Sequence, residues 1–168
     1  EHWDMIKDTK EPYYAGGPPV LPDMLPGNVV DWPNYSWREY GQRVGVWRIF
    51  DVFDKLGAQA SCTINAVTAL ERPQMVQYAV NKGWEIVAHN YEQGELLVNY
   101  MFDESKEKEV IKKTLDVYEK VVGKKAKGWL SSSLRGTLKT ADIIAEEGLI
   151  FYCDLMNDDQ PYLIETST

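Results

Sequence analysis

Two spacings of hydrophobic residues alternate along this chain, and they predict two kinds of element. Short runs that are apolar at most positions are typical of strands covered on both faces of a sheet. Longer runs, in which apolar residues recur every three or four positions, are typical of amphipathic helices. The short runs predict strands over residues 58–64, 84–88, 127–130 and 149–153.

The longer runs predict a helix before or after each strand. One covers 37–56, one opens at Arg72-Pro73, one includes 111–122, and one runs from Thr140 to Glu147. Ser36 and Thr140 are the expected N-caps. A glycine follows each helix, where a left-handed residue commonly ends it. Strands and helices that alternate with short connections predict an α/β fold with a parallel sheet.

The segment over residues 11–33 has neither spacing. It is dense in proline and glycine, which predicts an extended loop lying over the domain. A long irregular segment in a compact domain is usually either a functional cover or disordered, and Tyr13, Tyr14 and Trp32 favour a cover.

Length and charge narrow the possible partners. A chain of 168 residues supports one core, so we expect a single domain over residues 1–168. The net charge of −8 opposes binding to a phosphate backbone. No apolar run approaches the roughly 20 residues that span a bilayer. Lysines over 106–127 alternate with glutamates, which predicts a solvated helix face. A small molecule is the expected partner, rather than nucleic acid or membrane.

The two cysteines indicate the compartment in which the protein is expected, and the chain ends indicate whether the sequence is a fragment. Cys62 and Cys153 lie in strand-like runs, where a buried thiol is more common than a disulfide, so a reducing, cytoplasmic location is expected. The chain starts at Glu1 without methionine and stops at Thr168 without a closing element. We therefore expect a fragment of a longer protein.

His89, one of only two histidines, directly follows the predicted strand 84–88. Ligands of parallel α/β sheets bind beyond the carboxyl ends of the strands. A histidine there can act as a general acid or base, or ligate a metal, although an ordinary loop histidine is the alternative. The other polar groups expected on this rim are Asn65, residues 90–93, Ser131 to Ser133, Asp154, Asp158 and Asp159.

Two rim segments leave alternatives open. Ser131 to Ser133 form either a polar turn or a nucleophile or oxyanion donor, and the polar turn is favoured because the chain has no G-x-S-x-G elbow and no base neighbours these serines in sequence. Residues 154–161 suit hydrogen bonding to a polar, NH-rich or hydroxylated ligand, or form an Asx-rich turn before Pro161. A strand preceding Glu1 would place Glu1 opposite His89. Glu1 and His89 would supply two metal ligands, fewer than the roughly three protein ligands of a catalytic zinc site.

Five segments together resemble the polysaccharide deacetylase (NodB-homology) superfamily, and in particular its allantoinase-like members. They are Pro33 to Gly41, Arg43 to Arg48, Ala88-His89, Gly128 to Leu130, and Cys153 to Pro161. The resemblance covers nearly the whole chain in order. It implies a distorted (β/α) barrel of seven or eight strands, of the glycoside hydrolase/deacetylase type. It also implies that one strand precedes Glu1 and further strands follow Thr168.

The resemblance implies hydrolysis of a carbon–nitrogen bond other than a peptide bond. Sugar-active members of the superfamily use a metal bound by one Asp and two His. This chain keeps His89 of their H-x-x-x-H motif but has Gln93 at the second histidine, a loss shared with allantoinase-like relatives that are described as metal-free. The chain also has Ser131 to Ser133 where such relatives tend to have Gly and Pro.

The leading hypothesis is therefore a hydrolase of linear or cyclic amides or ureides. His89 is the expected acid/base, and Glu1 orients it or shares its proton. The expected substrate-binding residues are Trp129, Ser131, Asp154, Asp158 and Asp159, and no metal or other cofactor is expected. One alternative is an N-acetyl-sugar deacetylase with zinc on Glu1, His89 and Glu92. The other is a non-catalytic sugar- or ureide-binding barrel. A homo-oligomer is expected from the relatives.

Overall fold

The computed structural model describes residues 26–27, 29–30 and 32–167. The chain divides between Ala58 and Gln59 into two compact units, which are described separately below. The single domain over residues 1–168 stays a prediction. Glu1, Tyr13 and Tyr14, and most of the predicted covering loop, lie outside the described residues.

The unit before Gln59 is helical. Helix α1 spans Trp32–Tyr40, a π-helical turn spans Gly41–Gly45, and α2 spans Val46–Leu56. The helix predicted over 37–56 is confirmed, but it begins at Trp32, so Ser36 lies inside α1 and the predicted N-cap is wrong. The last residues of the predicted loop, Trp32 and Pro33, are likewise helical.

The second unit contains a parallel sheet of four strands in chain order. The strands are β1 (Ser61–Ile64), β2 (Glu85–Ala88), β3 (Gly128–Trp129) and β4 (Phe151–Tyr152). All four predicted strands are confirmed, with shorter bounds than predicted. Ala88 of β2 is in register with Trp129 of β3, which brings the residues after both strands to one edge. The predicted α/β class with a parallel sheet is therefore confirmed.

Helices connect the strands. They are α3 (Ala66–Glu71), α4 (Pro73–Asn81), α5 (Glu104–Val122) and α6 (Thr140–Glu146), with 3-10 turns at Leu97–Tyr100 and Ser132–Leu134. Helix α3 was not predicted. It is separate from α4 because the residue before a proline is disfavoured in helical geometry, and Arg72 has φ −129°.

The predicted N-cap Thr140 is wrong by one residue. Lys139 is the N-cap of α6, whereas Thr140 is its first helical residue and is fully buried. The Thr140 hydroxyl still accepts a hydrogen bond from the backbone N–H of Thr137, at 2.7 Å. The side chain thus bonds to the preceding turn and faces the interior.

The core lies between the sheet and its helices. Ile86 and Val87 of β2 are buried, as are Ile111 and Tyr118 of α5. The Tyr118 hydroxyl donates to the carbonyl oxygen of Val87 at 3.0 Å, which fixes α5 against the central strand. The opposite face of α5 is solvated, as predicted. There Lys108 pairs with Glu104 at 3.0 Å.

A close approach joins the edge strand β4 to β3. Gly128 is opposite Phe151, and a Cβ atom at position 128 would overlap the Phe151 ring. The absence of a side chain at Gly128 allows the ring to lie against the backbone of β3.

Both cysteines are free thiols. Cys62 is half-buried, and burial raises its pKa. Within the described residues β4 pairs only with β3 and Cys153 is exposed, so the prediction that it is buried is wrong for this part of the structure. Within the described part of the chain, no helix is both long enough and apolar enough to cross a membrane.

Candidate active site

His89 follows β2 directly and is nearly buried, with 6% of its surface exposed. Its Nδ1 lies 2.7 Å from the carbonyl oxygen of Leu130, and its Nε2 lies 2.9 Å from Oε1 of Gln93. A carbonyl oxygen can only accept, so Nδ1 carries a hydrogen. The bond to Leu130 therefore fixes the ring and leaves Nε2 as the nitrogen that can exchange a proton.

Gln93 connects His89 to the loop after β3. Its Oε1 is 3.4 Å from the Ser132 hydroxyl, and its Nε2 is 3.4 Å from the Ser133 hydroxyl. A protonated His89 Nε2 donates to Oε1. With neutral His89 protonated at Nδ1, a half-turn of the amide brings its NH₂ group to Nε2. Because serine hydroxyls both donate and accept, this group, called the histidine cluster (His89, Gln93, Ser132 and Ser133), can satisfy either state of the ring.

Asn90 joins three segments at the same edge. It is fully buried and has a left-handed backbone with φ 49°, a conformation that asparagine tolerates better than most residues. Its side chain accepts from the backbone N–H of Ser132 at 3.3 Å and donates to the carbonyl oxygen of Glu95 at 2.6 Å. Its own carbonyl oxygen accepts from the N–H of Ala66 at 3.1 Å. Asn90 thus anchors the loop beside His89.

The loop after β3 has two consecutive left-handed residues that are not glycine. Ser133 and Leu134 have φ 56° and 57°. Such residues carry local strain that the surrounding structure must offset, and strain of this kind is common near functional groups. Ser133 is exposed while Ser131 and Ser132 are fully buried, so the histidine cluster reaches solvent at Ser133.

Asp154 follows β4 and is 8% exposed. Its Oδ1 accepts from the backbone N–H of Ser131 at 2.7 Å, and its Oδ2 accepts from the Tyr152 hydroxyl at 2.7 Å. Burial, together with the neighbouring carboxylate, raises the pKa of Tyr152, so the phenol remains a neutral donor. Ser131, Tyr152 and Asp154 are called the aspartate cluster.

Two predicted substrate-binding residues lie inside this framework. Trp129 is fully buried, and its Nε1–H donates to the Ser131 hydroxyl at 3.0 Å. The N–H of Ser131 is bonded to Asp154, so in this arrangement it is not a free oxyanion donor. The geometry places both as supports of Asp154, and direct contact with substrate stays a prediction.

Asp158 and Asp159 are exposed and lie beyond β4. Asp158 accepts from the backbone N–H of Gln160 at 2.9 Å, the Asx turn considered as the alternative. Both aspartates line a groove of about 760 Å³ beside α6 and β4, and neither His89 nor Asp154 lines it. The described structure does not join them to the histidine cluster. Glu1 lies outside the described residues, so its predicted contact with His89 stays a prediction.

The described residues do not fit a catalytic metal. Such a zinc site takes about three protein ligands. Over residues 26–27, 29–30 and 32–167, no three side chains of His, Cys, Asp or Glu come together. Both ring nitrogens of His89 already have partners within the chain. We therefore assign no metal-dependent step to these residues.

Glu107 and Tyr152 were not among the predicted site residues. Glu107 belongs to the Lys/Glu-rich stretch that predicts a solvated face, yet its exposed fraction is 1%. It lies four residues before Ile111, on the apolar face of α5. A lone carboxylate at an apolar helical position was the signal that could have identified it.

Solved structures resemble this chain at moderate identity. A protein of Pseudomonas aeruginosa PAO1 described as a probable polysaccharide deacetylase is 28% identical, with a TM-score of 0.73 over 83% of this chain and 45% of its own. The PuuE allantoinase is 29% identical, with a TM-score of 0.70 over 83% of this chain and 45% of its own. A protein of Mycobacterium smegmatis that is also described as a polysaccharide deacetylase is 27% identical, with a TM-score of 0.72 over 78% of this chain and 45% of its own.

These neighbours have the (β/α)-barrel fold, which confirms the predicted fold class. This chain spans about 45% of the length of each. A CE4 family pseudoenzyme from Bacillus anthracis shares the fold at 14% identity, with a TM-score of 0.53 over 64% of this chain and 37% of its own. No protein-family model and no curated protein matches the chain.

Proposed function

We propose, because the chain belongs to the polysaccharide deacetylase (NodB-homology) superfamily, that the protein hydrolyses a carbon–nitrogen bond other than a peptide bond. The observation that carries this proposal is the placement of His89 at the carboxyl end of β2. Its ring is held by Leu130, and Nε2 points into a cluster of neutral polar groups. An imidazole fixed at one nitrogen, whose other nitrogen can exchange a proton, is suited to the general acid/base role in amide hydrolysis.

His89 acts as the general acid/base in this proposal. Its Nε2 takes a proton from the attacking water and then delivers it to the leaving nitrogen, while the carbonyl carbon gains the hydroxyl. Gln93 supports both states of the ring, because its amide can accept from Nε2 or donate to it. Gln93 must turn aside while Nε2 contacts water or substrate, and the exposed Ser133 marks the side from which they reach the cluster.

The proposed substrate is a small amide or ureide of the allantoinase-like class. Gln93 stands where the sugar-active members have a second histidine, and an amide is a poor replacement for an imidazole ligand. Asp154 offers acceptor positions for substrate N–H groups. Asp158 and Asp159 are proposed to bind substrate from the exposed segment beyond β4, and Glu1 is proposed to orient His89.

The second candidate function is binding without turnover. Both nitrogens of His89 and both carboxylate oxygens of Asp154 have partners within the chain. A site whose reactive groups are already satisfied is suited to recognising a sugar or ureide as much as to cleaving it. Measured affinity for a ligand that is never hydrolysed would favour this candidate.

The test is a turnover assay of the full-length protein. The substrates are allantoin, a cyclic imide and N-acetylglucosamine oligomers, each with and without a chelator. We expect an amide or ureide to be hydrolysed at the same rate with and without the chelator. His89→Gln should lower the rate by about 10²- to 10⁴-fold, the usual contribution of an acid/base. Lys125→Gln, an exposed change outside both clusters, is the matched control and should keep full activity.

Three outcomes contradict parts of this proposal. If none of these substrates is hydrolysed, the proposed enzymatic function is wrong. If wild type and His89→Gln react at equal rates, the proposed role of His89 is wrong. Activity lost with the chelator and restored by zinc favours the metal-dependent alternative.

A cytoplasmic location and a homo-oligomeric assembly are also proposed. Two free thiols, Cys62 half-buried and Cys153 exposed, suit a reducing compartment. Thiol labelling of protein rapidly quenched from cells tests the first, because disulfide-linked protein would contradict it. Light scattering of the full-length protein tests the second.

A further inference from the structure

Glu107 holds a buried carboxylate on α5, outside the candidate active site. Its Oε1 accepts from the Thr140 hydroxyl at 2.5 Å, and its Oε2 accepts from the Thr137 hydroxyl at 2.7 Å. A buried carboxylate is costly unless its oxygens are hydrogen-bonded. Both hydroxyls are therefore held in defined orientations by Glu107.

Thr140 extends this arrangement toward β4. Its hydroxyl oxygen accepts from the backbone N–H of Thr137, so its single proton is committed to Glu107. A Cβ atom built on Gly136 would lie 2.9 Å from this oxygen, 2.5 Å from the Tyr152 hydroxyl and 3.0 Å from Oδ2 of Asp154. Three oxygens from three side chains thus lie around Gly136, where a side chain would collide with them.

Tyr152 completes the connection to the rim. Its phenol donates to Asp154 at 2.7 Å, and the phenol oxygen and the Thr140 hydroxyl both border the space above Gly136, at 2.5 Å and 2.9 Å from the added Cβ atom. An ionised carboxylate has about four acceptor positions. Tyr152 and the backbone N–H of Ser131 occupy one on each oxygen of Asp154. The carboxylate therefore keeps acceptor positions whose directions are fixed by these two donors.

We propose that Glu107, Thr140 and Tyr152 are positioning residues that hold the Asp154 carboxylate in one orientation, so that its remaining acceptor positions receive substrate N–H groups. This inference rests on the proposed function. Glu107 fixes the Thr140 hydroxyl, Thr140 packs against the phenol, and the phenol fixes Oδ2. Two helices that carry none of the proposed catalytic groups thereby determine the geometry at the end of the edge strand.

The experiment uses the full-length protein with Tyr152→Phe, Thr140→Val and the conservative Thr140→Ser. Carbon-13 NMR of labelled aspartate follows the Asp154 carboxyl signal, assigned with Asp154→Asn. Steady-state kinetics uses allantoin, or whichever substrate the assay above shows to be hydrolysed. Tyr152→Phe and Thr140→Val should move the signal and raise KM by about tenfold, with a smaller change in kcat, because substrate binding is what Asp154 serves. Thr140→Ser should restore both.

The two readouts separate this inference from the proposed function. If the wild type hydrolyses nothing, the proposed function fails, while the Asp154 signal still decides the positioning role. An unmoved signal with KM within about twofold of wild type in both Tyr152→Phe and Thr140→Val would overturn the inference. If Thr140→Val does not fold, Tyr152→Phe decides alone, since it deletes one oxygen from a half-buried ring.

Discussion

The histidine cluster and the aspartate cluster lie at the same edge of the sheet but are held in opposite ways. His89 follows strand β2, and its Nε2 contacts the Gln93 amide, which in turn contacts two serine hydroxyls. The amide and the hydroxyls can reverse their hydrogen bonds. Asp154 follows the edge strand β4 and is held by an N–H and a phenol that only donate to it. The first arrangement tolerates a change of protonation, whereas the second preserves a fixed orientation.

This contrast matches the proposed roles. A group that passes a proton needs neighbours that accommodate its charged and neutral forms. A group that recognises a substrate needs a preset direction, because orientation fixed in advance does not have to be established on binding. The loop over 131–136 contributes to both clusters, so changes in it and around it can separate them.

The largest expected effect comes from Trp129→Ala, which removes the fully buried ring beneath this loop. Loss of a buried tryptophan costs about 3–5 kcal/mol of unfolding free energy. Both clusters should be disturbed together, because Trp129 supports Ser131 and β3 supports Leu130. Urea unfolding measures the cost. Trp129→Phe is the comparison, since it keeps most of the apolar contact and loses only the bond to Ser131. A cost below about 1 kcal/mol for Trp129→Ala would contradict its supporting role.

Gly136→Ala should disturb the aspartate cluster and leave the histidine cluster unchanged. The new methyl would lie 2.5 Å from the Tyr152 hydroxyl, so the aspartate cluster must shift. Overpacking of this kind costs about 1–3 kcal/mol. The NMR signals of His89 should stay in place while those of Tyr152 move. Gly41→Ala is the matched control, because nothing lies within 4 Å of the added atom, and it should leave stability unchanged or slightly raised. Equal responses of the two clusters would refute their independence.

Gln93→Ala tests whether the amide is needed at the histidine cluster. It leaves Nε2 of the nearly buried His89 without its partner, and an unsatisfied buried polar group costs about 1–3 kcal/mol. Thermal unfolding across neutral pH measures this loss. Gln77→Ala removes an exposed glutamine whose side chain bonds to Asn81 on the same helix, and it should stay within about 0.5 kcal/mol of wild type. Indistinguishable stabilities for the two variants would show that water replaces Gln93 freely.

The smallest expected effect is a change in pH dependence in Glu107→Gln. Burial raises the pKa of Glu107 above its ordinary value of 4.5, and hydrogen bonds from Thr140 and Thr137 oppose that rise only in part. The folded state therefore binds this proton more tightly than the unfolded state does. The stability that the protonated Glu107 side chain contributes is fully present below pH 4.5 and is lost as the pH rises through the raised pKa of Glu107.

Denaturant unfolding of wild type and Glu107→Gln from pH 4 to pH 8 would measure this. Relative to the variant, wild type should lose stability with increasing pH over that window. Glu119→Gln, exposed on the same helix, removes the same charge and reports the effect of net charge alone. A wild-type advantage that grows as the pH rises would contradict the assigned direction.

Sequence patterns predicted the sheet well because its four strands are apolar runs bounded by glycines and helices. The edge that carries His89, the serine loop and Asp154 followed from the parallel arrangement. Helix α3 was missed because its six residues are too few to show a helical repeat. The exposure of Cys153 was missed because a strand at the edge of a sheet has the same apolar composition as a central one.

Sequence patterns could not predict the hydrogen bonds within the site, and the reason is physical. The bonds of Glu107 to Thr137 and Thr140 join residues 30 and 33 positions apart in the chain. The bond of Asp154 to Ser131 joins residues 23 apart. Spacing along the chain reports which residues share a helix face or a strand edge. It does not report which hydroxyl meets which carboxylate once these elements pack.

The approach of Phe151 to Gly128 restricts the order in which this sheet can change over evolution. Any side chain at position 128 would occupy the space of the aromatic ring, so that position is closed while Phe151 remains. A smaller residue at 151 would open it. Position 128 can therefore acquire a side chain only after position 151 has changed to a smaller residue, whereas position 151 is free to change first. Homologues that carry a side chain at position 128 should carry a small residue at position 151.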